Sequence, residues 1–75
     1  MKYIVVEIQK FADGTIAIPP VSTYDTLLNA MSKYHQVMAV AAVSEVPIHS
    51  CVVLTDVGQE IRMDSYNKNE PTEEE

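Results

Sequence analysis

His49 and Cys51 stand two residues apart in an apolar stretch, so on a strand their imidazole and thiol point to the same side. With His35 as a third ligand from further upstream, this pair is the chain's nearest approach to zinc chemistry. A zinc site takes three or four ligands at fixed spacing, and the sequence holds no CxxC, no HExxH and no second cysteine. The pair therefore reads as a partly buried histidine beside an inert core thiol. As a nucleophilic centre it fares no better, since a catalytic thiolate needs a base within hydrogen-bond reach and a third group to orient that base.

The carboxylates Glu7, Asp56, Glu60 and Asp64 are the raw material for acid and base work, but no spacing pairs them, and they read as solvated charges on strands and turns. Glycine occurs only at 14 and 58, which excludes a Gly-rich phosphate loop. Tyr24, Tyr34 and Tyr66 are expected to close the edges of a small core rather than stack on a ligand. No catalytic, cofactor-binding or metal residue is assigned on this reading. The chain is expected not to be an enzyme and to need no cofactor.

The element that must position everything else is the stretch from 26 to 43, TLLNAMSKYHQVMAVAAV, whose spacing predicts a helix. At 100° per residue, Leu27, Ala30, Tyr34, Val37, Met38 and Ala41 share one face, with Asn29, Ser32, Lys33 and Gln36 opposite. Thr26 is the expected N-cap, and Asp25 adds negative charge at the positive end of the helix dipole. From Val37 onward the polar face fades, which predicts burial on more than one side.

Alternation predicts a strand over 2–10, with Ile4, Val6 and Ile8 on one face and Tyr3, Val5, Glu7 and Gln9 on the other. The first set is expected to meet the helix. Asp13-Gly14 predicts a tight hairpin with both central residues at positive φ, returning as a second strand over 15–22. Pro19 and Pro20 remove two backbone donors and make that strand the weakest. After a turn at 44–47 enforced by Pro47, strands are predicted over 48–55 and 60–66, joined by a turn at Gly58, with Ile61 and Met63 on one face. The predicted architecture is α+β, order ββαββ, a four-stranded mainly antiparallel sheet with one helix packed on one face. Its uncovered face is expected to carry Tyr3, Val5, Cys51 and Val53.

Residues 1–66 are read as a single domain and 67–75 as an acidic disordered tail. The formal charge is −6, of which Lys68 against Glu70, Glu73, Glu74 and Glu75 accounts for −3. Five scattered basic residues make no stripe for phosphates, so nucleic acid is not an expected partner. One unpaired cysteine suits a reducing compartment, and no apolar run is long enough for a signal peptide or a membrane span. A chain this short buries only about 60% of its unfolded surface. With no disulfide to assist, a homo-oligomer, most simply a dimer, is expected.

The run STYDTLLNAMSKYHQVMAVAAVSEVPIHSCVVLTDVG, preceded by KYIVVEIQKFADGT, resembles a group of small proteins encoded in phages and prophages of Gram-positive gut bacteria. The resemblance spans Met1 to about Tyr66. Its most specific pieces are Tyr24-Asp25-Thr26-Leu27, Ser32-Lys33-Tyr34-His35, Ala41-Ala42-Val43-Ser44 and Val46-Pro47-Ile48-His49-Ser50. It implies a phage origin and a bacterial host cytoplasm, and no activity. Members of that group are polar or acidic at the positions of Leu28, Asn29 and Met31, where this chain has two apolar residues. Leu28, Met31, His35, Met38 and Ala42 form a stripe beside the core face that runs into Ala39, Val40 and Val43, a spacing suited to a second helix. That stripe is the expected interface, favoured over the sheet. The expected role is a binding module acting on a host protein; the alternatives are a small virion or assembly component, or a sponge that sequesters a small signalling molecule.

Overall fold

A computed structural model describes residues 1–68. The strands are β1 (Tyr3–Lys10), β2 (Ile16–Ala17), β3 (Ser22–Tyr24), β4 (Ile48–Thr55) and β5 (Glu60–Asn67), with one helix, α1 (Leu27–Val43), between β3 and β4. All pairings are antiparallel. The sheet runs β2-β1-β4-β5, and β3 joins the same side of β1 as β2, further along it. This is the expected α+β architecture. The expected second strand is split in two, because Pro19 and Pro20 interrupt the backbone ladder between Ala17 and Ser22.

Both hairpin turns are built alike. Gly14 N–H donates to Phe11 O at 2.9 Å and Phe11 N–H to Thr15 O at 2.8 Å; Gly58 N–H donates to Thr55 O at 2.9 Å and Thr55 N–H to Gln59 O at 2.8 Å. Each glycine sits at φ 90, and no other residue among those described has positive φ. The turn at Asp13-Gly14 is thus not the two-residue type expected. Asp13 keeps an ordinary φ and its carboxylate accepts from Thr15 N–H at 2.9 Å, a three-residue loop with the left-handed position given to glycine.

Thr26 caps α1 as expected, its hydroxyl accepting from Asn29 N–H at 3.2 Å. The other end is closed from a distance. The last turn has no basic residue of its own, and Lys68, just past β5, supplies the charge: its Nζ donates to Ala41 O at 2.9 Å and also to Ser44 O, while its N–H donates to Pro47 O at 2.7 Å. Asn67 and Lys68, assigned to the tail on sequence, therefore belong to the domain. The remainder of that tail lies outside the described residues.

The helix lies over β1 and β4, and the core is Ala30, Tyr34 and Val37 against Val5, Cys51 and Val53, with Tyr3, Tyr24, Met31 and Met38 packed around them. This reverses the expected faces of the sheet. Tyr3, Val5, Cys51 and Val53 lie under the helix, and Ile4, Val6 and Ile8 lie on the uncovered side, in register with Leu54, Val52 and Ser50. β1 is apolar on both sides, so alternation defines two faces without saying which is inner. The polar residues decide it. Glu7 accepts from Gln9 and pairs with His49 Nε2 beneath the helix, and Asp64 meets the phenol of Tyr34; with the sheet turned over, Tyr34 would bury its hydroxyl away from Asp64.

Candidate functional site

His49 and Cys51 share the inner face, at 2% and 0% exposure. His49 Nε2 lies 2.5 Å from Glu7 Oε2, and Gln9 Nε2 donates to the same oxygen at 2.9 Å. With Nε2 as the donor, His49 Nδ1 is a buried acceptor that finds no donor among the described residues. Partial burial pushes Glu7 up, but the hydrogen bonds from Gln9 and His49 outweigh it and hold the carboxyl below its ordinary value. Burial, then the charge of Glu7, pushes the Cys51 thiol up to about 11, which keeps it protonated and unreactive. His35 is exposed on α1, its ring edge-on to Tyr34 at 5.3 Å. No three potential metal ligands come together among the described residues.

The carboxylates expected to be scattered and solvated are more structured than their spacing suggested. Glu7 belongs to the His49 network, Asp56 accepts from Lys2 N–H at 3.0 Å, and Asp64 accepts from Tyr34 and, at 3.3 Å, from Arg62 Nε. Arg62 also lies over the Tyr34 ring, 5.3 Å from its centroid. Arg62, Asp64 and Tyr34 line a shallow hollow of about 310 Å³ between α1 and β5, with His35, Met38 and Tyr66. Its polar groups largely satisfy one another. The signal for it was the alternation of Arg62, Asp64 and Tyr66, legible only once that face was known to be the inner one.

The expected helix interface is divided by the fold. Met31 and Met38 lean into the core, whereas Leu28, Val40 and Val43 stand 82%, 60% and 83% exposed, and His35, Ala39 and Ala42 are exposed beside them. Val40 and Val43 are neighbours one turn apart with Ala39 and Ala42 beside them at the C-terminal end of the helix, and Leu28 stands apart near the N-terminal end.

The uncovered sheet face is the more continuous apolar surface, and alternation alone had put the wrong residues on it. Ile4, Val6 and Ile8 of β1 lie beside Ile48, Val52 and Leu54 of β4, and Met63 of β5 lies beside Val52. Ser50 and Ser65 bond to each other at 2.9 Å within it, so their hydroxyls ask little of water. Charge enters only at its ends, with Lys10 and Glu60. At strand spacings of about 4.8 Å and rises of about 3.3 Å, three eight-residue strands present a face of roughly 400 Å².

No family model, curated protein or solved structure matches this chain. Among the described residues, no helix is long and apolar enough to cross a membrane.

Proposed function

We propose that this chain is a non-enzymatic binding module, an accessory protein of a phage that acts as an oligomer on a protein of its bacterial host. The observation that supports this is the uncovered sheet face. A monomer rarely leaves an apolar patch above a few hundred Å² exposed unless something docks there. This face spans roughly that area in plan, with its β1 and β4 side chains half-buried by one another and Met63 exposed, is uncharged across its middle, and is placed opposite the only helix of the described residues. The occupant it suits is an apolar, weakly charged protein surface rather than a phosphate-bearing one.

The test is capture by the immobilised chain from a lysate of a Gram-positive gut bacterium, repeated with Val6→Lys and Val52→Lys. The expected result is one bacterial protein retained by the unmodified chain, lost with both variants, and bound again when purified. The proposal is overturned if nothing is retained, or if the variants hold the same protein although their circular dichroism matches the unmodified chain.

A further inference from the structure

A different surface identifies the oligomer. β5 is an edge strand of eight residues; over Glu60–Tyr66 no strand among the described residues pairs along its outer side, and only Asp64 of its side chains is even half-buried. Proteins usually keep such edges short or blunt them, and β5 carries charges at Glu60, Arg62 and Asp64 and a register shift opposite Val53 and Leu54, so its pairing must be one that those charges permit. The helix lies mainly over β1 and β4 and meets β5 on the inner face of the sheet, where Tyr34 touches Arg62 and Asp64.

From the order of charges along it, we infer that β5 pairs with β5 of a second copy, antiparallel, about a two-fold axis at Met63. The inference rests on the binding-module reading only for its purpose; its geometry stands alone. In an antiparallel pair, opposite residues share a face, and a two-fold axis normal to the sheet preserves faces. A symmetric pairing must therefore be centred on a residue, never between two. Centring on Arg62 sets two arginines against each other, and centring on Asp64 sets two aspartates. Centring on Met63 sets each Arg62 against the other copy's Asp64, two opposite-charge cross-strand pairs on the helix side of the sheet. Both groups have room for this: their side chains are 53% and 48% exposed, and Arg62 uses only Nε toward Asp64, leaving its two terminal amino groups without a hydrogen bond among the described residues.

On the opposite side, Met63 meets Met63 and the two uncovered faces merge. Each roughly 400 Å² face is about half of what one partner buries in a stable interface of standard size, so the dimer presents one platform of the required area. Both helices then lie on the far side, which explains why the apolar sheet face is left open.

Sedimentation across the micromolar range should find a dimer. Arg62→Asp and Asp64→Arg should each weaken association about tenfold or more, since attraction becomes repulsion at both pairs. Mixed in equal amounts they should recover it as a heterodimer, because one copy is then acidic at both 62 and 64, the other basic at both, and each cross-strand contact joins opposite charges. Asp64→Arg also removes the acceptor of Tyr34, so a second measurement uses Met63→Cys, whose thiols would face each other at Cα separations of about 4.5–5.5 Å, within disulfide reach. Mild oxidation should give a covalent dimer from Met63→Cys and none from Ser65→Cys, with Cys51 protected by burial. A monomer at all these concentrations, folded variants that fail to recover on mixing, or cross-linking through Ser65→Cys instead of Met63→Cys would overturn the pairing. No host protein enters these readouts, so their failure leaves the capture test standing, and failed capture leaves a measured dimer intact.

Discussion

Glu7 shows how one residue's environment sets its contribution. Its carboxylate accepts from Gln9 and His49, and its pKa is lowered from 4.5. A carboxyl held lower in the folded state than in the unfolded chain stabilises the fold above the unfolded value, and that stabilisation is lost as pH falls through the folded one. Urea midpoints should therefore drop as pH falls below about 4.5, and Glu7→Gln, which keeps an acceptor but no charge, should flatten that slope. Glu7→Ala leaves His49 Nε2 buried without a partner, and should cost about 1–3 kcal/mol in urea unfolding at neutral pH. Cys51 offers a second check at this scale. With its thiol fully buried and pushed up to about 11, thiol reagents at neutral pH should modify it only as fast as the chain unfolds.

At the scale of elements, the turns and the helix ends carry the strain and the charge. A Cβ at Gly58 would meet nothing within 4 Å, so Gly58→Ala tests the φ of 90 alone. It should lower stability by about 1–2 kcal/mol, and Gly58→Asn by less, because asparagine enters the left-handed region more readily. The C-terminal end of α1 depends on a residue 25 positions beyond Val43 in the chain, Lys68. Lys68→Met should reduce the thermal midpoint by an amount equivalent to about 0.3–1 kcal/mol, and added salt should shrink the difference, as charge at a helix end predicts.

At the scale of the molecule, the face of the sheet under the helix is the central assignment, and adjacent residues test it. Val53 is fully buried against the helix and Val52 lies on the uncovered face. Lysine at 53 buries a charge with no partner and should unfold the chain, whereas Val52→Lys should change stability by about 1 kcal/mol or less, both read by circular dichroism and urea titration. Exchanged behaviour would restore the face expected from alternation. The same contrast separates folding from docking, since Val52→Lys keeps the fold while removing the proposed surface.

The order of elements, the bounds of the helix, its Thr26 cap and the strand over 48–55 were all legible in the sequence, because periodicity, caps and turn residues act between near neighbours. Pro19 and Pro20 likewise marked the weakest strand, although not its resumption as Ser22–Tyr24 paired with β1. What neighbours do not determine is which side of a doubly apolar strand faces inward. Ile4, Val6 and Ile8 looked the better core on bulk and hydropathy, yet Tyr3 and Val5 lie under the helix. The whole sheet turns over together once its register is set, and the choice fell to pairs more than twenty residues apart: Glu7 with His49, and Tyr34 with Asp64. The capping of α1 by Lys68 and the position of β5 at the sheet's edge are non-local in the same sense. They exist only after the chain has closed, so tertiary packing decided them, and with them which surface is left for a partner.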